Sequence, residues 1–234
     1  LLGLGCNVPG IMATRILETK HQRFITATLI SIAVPCAALQ AMIIGLLGDR
    51  GPGPLLVVYG TLFIVWLLVG LILRFTSKGF RPDILIEIPP YRVPDFKALM
   101  SKMWMRLSGF FKEALPVIII AIFIVNILYQ LKLFERVATL TEPLVTNLWG
   151  MPKESIVPLL IGVLRKDVAI GMFIPLQLST SQLIIGSVVL SMFFPCIATF
   201  VVLFRELGLK DTIKSIFVML VAVVTVGTVL NIFV

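Results

Sequence analysis

Residues 24–48 read FITATLISIAVPCAALQAMIIGLLG, a run of 25 positions without Asp, Glu, Lys or Arg. An α-helix rises about 1.5 Å per residue, so roughly 20 apolar residues cross the hydrocarbon layer of a bilayer. Four more uncharged runs follow along the chain, at residues 51–73, 114–131, 168–204 and 215–234. The sequence therefore predicts an all-α, polytopic membrane protein whose first partner is the lipid bilayer.

The composition supports this class and excludes others. The 234 residues have a mean hydropathy of +1.07 and only 14% charged residues, outside the range of soluble domains. The net charge of +8 does not indicate nucleic-acid binding, because the basic residues flank the uncharged runs and no nucleic-acid motif accompanies them. No phosphate-binding loop, histidine pair or nucleophile elbow occurs, so neither an enzyme nor a bound cofactor is predicted.

Basic residues between the second and third runs predict the orientation. Eight of them lie there, which is typical of a cytoplasmic loop: Arg74, Lys78, Arg81, Arg92, Lys97, Lys102, Arg106 and Lys112. Within residues 76–112, the prolines of 87–94 favour an extended strap. Apolar residues at helical spacing from Phe96 to Phe111 then predict an amphipathic interfacial helix. The predicted location is the cytoplasmic (inner) membrane.

Residues 155–178 form an uncharged segment that Arg165, Lys166 and Asp167 interrupt near its middle. Neither half is long enough to cross a bilayer. If the whole segment crossed, the basic loop 205–214 would face outside. A re-entrant hairpin keeps that loop cytoplasmic, so the positive-inside rule favours the hairpin.

An internal repeat connects the two halves of the chain. Pro35 and Cys36 lie in the middle of the first span, and Pro195 and Cys196 lie likewise in the fourth, at an offset of 160 residues. The predicted first repeat is 1–75, with a broken segment at 1–22 and spans at 23–48 and 54–75. A connecting span at 113–133 leads to the second repeat, 134–234, with the hairpin at 155–178 and spans at 183–204 and 212–234. The two proline-cysteine spans then run in opposite directions, which makes an inverted repeat of the transporter kind.

The mid-span prolines carry the chemical hypothesis. Proline removes a backbone hydrogen bond, and bilayers tolerate the freed carbonyl only where protein or a water-filled cavity satisfies it. Cysteine is a soft ligand suited to late first-row divalent metals, so Cys36 and Cys196 predict a cation path. The alternative is that both are small packing residues, and an odd cysteine count argues for free thiols. Asp167, at membrane depth, is either functional or part of a neutralising cluster with Arg165 and Lys166.

Several segments together resemble one family. Residues 5–15 (GCNVPGIMATR) are similar to the first gate region of FeoB, the ferrous iron transport proteins of bacteria and archaea. Four other segments match in the same order: Pro35 to Ala37, Glu87 to Pro94, Leu164 to Gly171, and Phe194 to Cys196 with Arg205 and Glu206. The second gate reads Arg165, Lys166, Asp167 where many relatives carry alanine, lysine and glutamate, which indicates a divergent branch.

The resemblance implies a permease for Fe(II), the transported ion. Cys6, Cys36 and Cys196 would be soft ligands, Asn7 an oxygen ligand, and Asp167 the charge that offsets ion dehydration, while Arg165 and Lys166 would repel a cation unless turned to the interface. The family's GTP-binding domain is absent from this chain, which begins at Leu1 and is expected to be a fragment; that domain would be a partner, and a homo-oligomer is compatible with the sequence. The alternatives are a nucleoside-type permease and a non-transporting membrane assembly subunit.

Overall fold

The computed structural model describes residues 2–76, 95–105, 142–163, 166–193 and 195–233, with isolated positions 108, 109, 112, 116, 119, 120 and 123. Every regular element among them is helical, which confirms the predicted all-α class. The predicted strap at 87–94 and most of the connecting span at 113–133 lie outside the described residues. Residues 96–105, the start of the predicted amphipathic helix, are helical and exposed.

Nine α-helices are named here. They are α1 (Asn7–Met12), α2 (Lys20–Ala33), α3 (Ala37–Leu47), α4 (Pro52–Thr76), α5 (Ile156–Gly162), α6 (Lys166–Gly171), α7 (Thr180–Met192), α8 (Ile197–Leu207) and α9 (Leu209–Phe233). Short 3₁₀ turns lie at Leu2–Leu4, Ala13–Ile16, Gly48–Arg50, Lys153–Ser155 and Ile174–Leu176, and a π-helical turn at Leu144–Leu148.

Four helical segments of the described chain are long and apolar enough to cross a membrane: Lys20–Arg50, Pro52–Phe75, Thr180–Leu207 and Leu209–Phe233. They correspond to four of the five predicted spans. Two of them begin at side-chain caps, where the Thr19 and Ser179 hydroxyls accept the backbone N–H groups of Gln22 and Gln182. Each proline-cysteine span passes into the next span through a glycine of positive φ, Gly51 at 98° and Gly208 at 79°.

The two proline-cysteine spans run antiparallel. Arg15, just before the first of them, pairs through its guanidinium with both carboxylate oxygens of Glu206, at the end of the second, at 2.9 Å. At the other end, Arg50 donates to the hydroxyl of Thr180 at 2.9 Å. The start of each span therefore lies beside the end of the other, as an inverted repeat requires.

Segment 155–178 has the geometry of a re-entrant hairpin. Before it, the carbonyl of Gly150 accepts the Gln182 side chain at 3.1 Å, and after it the carbonyl of Leu178 accepts Arg50 at 3.3 Å. Both ends thus lie on the Arg50 side of the molecule. Between them, Lys166 reaches the carbonyl of Ser191, near the middle of the fourth span.

Charged residues differ between the two ends of the bundle. The end that holds the Arg15–Glu206 pair, called the basic side, carries Arg15, Lys20, Arg23, Arg205, Lys210 and Lys214. On the opposite side, Lys153 pairs with Glu142, and this hydrogen bond raises the pKa of the Lys153 amine. By the positive-inside rule, the basic side is the predicted cytoplasmic one.

Helices of each repeat pack on helices of the other repeat. Helix α1 of the first repeat packs on α8 of the second, and α6 of the second packs on α3 of the first. Likewise, α4 packs on α7 and α9 packs on α2. The second half of each proline-cysteine span therefore packs against a short helix of the other repeat.

Small residues allow this packing where lipid supplies no hydrophobic drive between helices. A Cβ built on Gly227 of α9 would lie 2.4 Å from Nε1 of Trp149, and one built on Gly186 of α7 would lie 2.8 Å from the ring of Phe173. Trp149 and Phe173 are each only 1% exposed, so neither ring has room to retreat.

The antiparallel arrangement can be tested by cross-linking. In a background with Cys6, Cys36 and Cys196 replaced by Ser, the pair R15C/E206C should be joined by a short bismaleimide, because the two side chains are in contact. The pair R50C/E206C should not be joined within one chain, since these positions lie on opposite sides. Equal cross-linking of both pairs, scored by gel mobility after proteolysis between them, would contradict the arrangement.

A matched glycine pair tests the packing. Gly227→Ala should lower the free energy of unfolding by about 1–3 kcal/mol, the usual cost of overpacking, because the new methyl group meets the Trp149 indole. Gly60→Ala is the control, since nothing lies within 4 Å of a Cβ at that position of α4. The measurement is thermal unfolding in detergent; equal midpoints for the two variants would rule out a tight Trp149 contact.

Candidate functional site at the two helix breaks

The candidate site is built around two interruptions of the membrane-spanning helices. The first span stops being helical at residues 34–36, and the second proline-cysteine span between Met192 and Ile197. Proline supplies no N–H and its ring clashes with the preceding turn, so each helix ends before it. The following cysteine then begins a new helix, Cys36 with φ −69° and ψ 160° and Cys196 with φ −57° and ψ 156°.

A third cysteine repeats this placement. Cys6 is the residue before α1, so all three thiols of the chain stand at helix N-termini. The backbone N–H of Ala37 donates to the carbonyl of Gly5 at 3.0 Å, which holds the segment before α1, including Cys6, beside the first break. The packing of α1 on α8 brings the same segment close to the second break.

The structure therefore places the three predicted cysteine ligands at or beside the two breaks. The Cys6 thiol lies within electrostatic range of both the Cys36 and the Cys196 thiol. All three are half-buried and none is in a disulfide. The Cys196 sulfur is also 3.1 Å from the hydroxyl of Thr199, one turn into α8.

Asn7, the predicted oxygen ligand, is adjacent to this group. It is only 9% exposed, and its Oδ1 has no hydrogen-bond partner within the described part of the chain. Buried amide oxygens normally accept a hydrogen bond, because a buried oxygen without one loses its bond to water and gains no other. The Asn7 oxygen is thus an acceptor still available at the first break.

A side chain donates to one backbone carbonyl at each break. At the first, the side-chain amide of Gln40 donates to the carbonyl of Pro35 at 2.7 Å. At the second, the ammonium of Lys166 donates to the carbonyl of Ser191 at 2.9 Å. The expectation that a protein group satisfies the freed carbonyl is met at the second break, where Ser191 lies four residues before Pro195; the sequence singled out neither donor for this task.

The charged triplet is placed in part. Lys166 is 8% exposed and points to the second break, so it is not turned to the membrane interface. Its ammonium is within electrostatic range of the Cys36 and Cys196 thiols. Asp167 belongs to α6, but its side chain, like the whole of Arg165, lies outside the described residues. Its proposed role therefore remains a prediction.

The three cysteines do not form a metal site in the described structure. No group of three or more His, Cys, Asp or Glu side chains in the described ranges is placed to hold a metal ion. Structural zinc sites have four such ligands at bonding distance, and this arrangement differs from them. It resembles a loose donor group at the meeting point of several helices.

A separate cavity of about 730 Å³ lies along α2 and reaches the first break at Val34. Its lining is largely apolar, with residues of α1, α2 and Trp66 of α4. None of the three cysteines lines it. The cavity and the thiol group are therefore different features of the first repeat.

Two family models match the chain. The Gate model, described as nucleoside recognition, matches residues 111–210. The model described as the C terminus of ferrous iron transport protein B matches residues 55–106. Both describe membrane domains of transporters and not enzymes.

Curated relatives agree with these matches. The Fe(2+) transporter FeoB of Methanocaldococcus jannaschii is 26% identical over 90% of this chain and 37% of its own length. FeoB of Escherichia coli K12 is 32% identical over 51% of this chain and 16% of its own. A fusion of Fe(2+) transport protein A with FeoB from Porphyromonas gingivalis is 33% identical over 52% of this chain and 15% of its own. The chain thus spans well under half of these relatives, and no solved structure matches it.

The carbonyl contact at the first break can be tested by substitution. Gln40→Met should cost about 1–3 kcal/mol of unfolding free energy, because the buried carbonyl of Pro35 loses its donor. Gln22→Met is the control, since the half-buried Gln22 side chain makes no hydrogen bond to the described residues. Thermal unfolding of both variants is the measurement, and a Gln40 variant as stable as the control would contradict this account.

Proposed function

We propose that this chain, which is similar to the C-terminal membrane portion of FeoB, conducts ferrous iron across a membrane. The family models and the relatives support the assignment to that portion. Four membrane-length helices and the relatives together indicate a multi-pass membrane protein. The ion, the path and the partners are what the proposal adds.

One observation carries the proposed path: three cysteines from separate parts of the chain each precede a helix at or beside the breaks of two antiparallel spans. Thiolate sulfur binds late first-row divalent metals well, and Asn7 adds an amide oxygen beside it. An ion that must leave again requires weak or incomplete coordination, which a loose donor group supplies. Cys6, Cys36 and Cys196 would therefore bind Fe(II) in passing, with Asp167 supplying charge.

Backbone geometry supports a cation at this place. Helices α2 and α7 end at the breaks, so their C-terminal carbonyls carry partial negative charge there. Inverted-repeat transporters bind coupling ions at such unwound carbonyls near the bilayer midplane. Sulfur, amide oxygen and carbonyl groups then line one short stretch of the path.

The proposal extends to location and partners. We place the chain in the cytoplasmic (inner) membrane with the basic side facing the cytoplasm. Energy coupling would come from a GTP-binding domain in the same or an associated polypeptide. Neither this partner nor a bound cofactor is needed for the thiol path itself.

A nucleoside-type permease is the second candidate, favoured by the description of the Gate model. Such a site needs several convergent polar groups that are free to bind the ligand. Gln40, a polar side chain at the first break, is already bonded to the carbonyl of Pro35. The cavity near Val34 is largely apolar. The described residues therefore favour the ion path.

A non-transporting assembly subunit is the third candidate. It predicts that the proline-cysteine pairs are sealed among apolar side chains. Pro35 is buried, but Cys36 and Cys196 are half-buried beside the Lys166 charge. A charged group at such a place favours a functional site over a packed anchor.

The thiol path predicts a loss of uptake. In cells that carry the full-length protein, C36S/C196S should reduce ferrous iron uptake at least about tenfold, because hydroxyl oxygen replaces the soft sulfur ligands. Ala38→Ser is the matched control, since it adds a hydroxyl two residues from Cys36 at an exposed position. Uptake is measured at equal protein level in the membrane.

The same variants separate the candidates. Purified protein should gain thermal stability with Fe(II) or Co(II), and the double serine variant should lose that gain. Stabilisation by nucleosides that survives C36S/C196S would favour the nucleoside permease. Unchanged iron uptake by the double variant would overturn the thiol path.

A further inference from the structure

The Lys166 ammonium is a buried positive charge at the second break. Its only hydrogen bond to the described residues is to the carbonyl of Ser191, at 2.9 Å. No described carboxylate lies within ion-pair distance of it; the side chain of the adjacent Asp167 is not among the described ones. A buried ammonium is costly, so this contact needs an explanation beyond packing.

The bonded carbonyl explains the position of the charge. Ser191 is the second-last residue of α7, so its carbonyl lies at the C-terminal end of that half-helix. Such carbonyls have no partner in the next turn and carry the negative end of the helix dipole. This is the place where a broken transport helix coordinates a cation, and here a side-chain cation occupies it.

The first break provides an internal comparison. Its Pro35 carbonyl is held by Gln40, which is a neutral donor from the following helix. The second break has the same proline-cysteine geometry, but its donor is charged and comes from the hairpin, and the acceptor carbonyl lies four residues before the proline and not on it. Lys166 therefore adds a positive charge at the second break, whereas the donor at the first break is neutral.

We propose that Lys166 is a tethered competitor of the transported cation, which must displace its ammonium from the Ser191 carbonyl to bind beside Cys196. This inference rests on the proposed ion path and names the property that the lysine gives it. A divalent ion carries twice the charge of the ammonium and so interacts about twice as strongly with the same carbonyl and thiolates. A monovalent ion has no such advantage. Lys166 thus selects divalent over monovalent cations.

Binding of Co(II) to the purified full-length protein tests the competition. Co(II) bound to thiolates absorbs visible light, which reports occupancy without any transport step. Lys166→Gln keeps a donor for the Ser191 carbonyl and removes the charge, so Co(II) should bind about tenfold tighter than to the wild type. Lys166→Arg keeps the charge and should bind like the wild type. Potassium chloride should weaken Co(II) binding more in the glutamine variant than an equal ionic strength of choline chloride does.

The outcomes separate this inference from the ion path. If neither the wild type nor the glutamine variant gives a thiolate band that C36S/C196S removes, the thiol path itself fails. If both bind Co(II) at the thiols with equal affinity, the path stands and the competition is refuted.

A second measurement uses the wild-type protein, so it does not depend on the stability of a variant. Acylation of the Lys166 amine, followed by mass spectrometry, should increase several-fold when Co(II) is added, because the displaced amine leaves its buried contact. The exposed amine of Lys210 is the internal control and should not change. Equal labelling of Lys166 with and without Co(II) at saturated thiols would refute the displacement.

Discussion

The need to satisfy backbone carbonyls inside a bilayer governs this structure. Lipid offers no hydrogen bonds, so a helix interrupted in mid-membrane must find donors within the protein. In the fourth span, Lys166 donates to the carbonyl of Ser191, which Pro195 leaves without a donor; in the first span, Gln40 donates to the carbonyl of Pro35. Gln40 belongs to the same span as the carbonyl that it contacts. Lys166 belongs to the hairpin, which enters the bundle from the Arg50 side. The hairpin of the second repeat thus supplies the donor for the break in the fourth span.

The packing of each repeat on the other connects the two breaks through the segment of Cys6. Helix α1 packs on the second half of the fourth span, and α6 packs on the second half of the first. This arrangement carries Cys6 from one repeat to Cys196 in the other, while a backbone hydrogen bond keeps it beside Cys36. Close contacts at Gly186 and Gly227 hold the surrounding helices together without a hydrophobic drive. The three cysteines therefore come from both repeats, and no single segment contains them.

The resemblance to the C-terminal membrane portion of FeoB, inferred from short motifs, is confirmed by family models and relatives. The roles of the individual site residues rest on geometry. Cys6, Cys36 and Cys196 each precede a helix at or beside a break, and the buried Asn7 oxygen has no hydrogen-bond partner among the described residues; their roles as ligands remain predictions. Asp167 remains a prediction from its position alone. Lys166 gains a role that runs against its sequence interpretation, since it stays at the break and is not turned to the interface.

The sequence by itself determined the class, the four spans within the described residues and the positions of both breaks. These are local properties: uncharged length sets a span, and proline ends a helix wherever it stands. It also indicated the antiparallel order, because the distribution of basic residues is readable along the chain. Only the tertiary structure decided which donors reach the carbonyls of Pro35 and Ser191, and that the segment of Cys6 lies beside the first break. Such contacts join residues as distant in sequence as Arg15 and Glu206, and depend on how helices interlock, which no local pattern encodes.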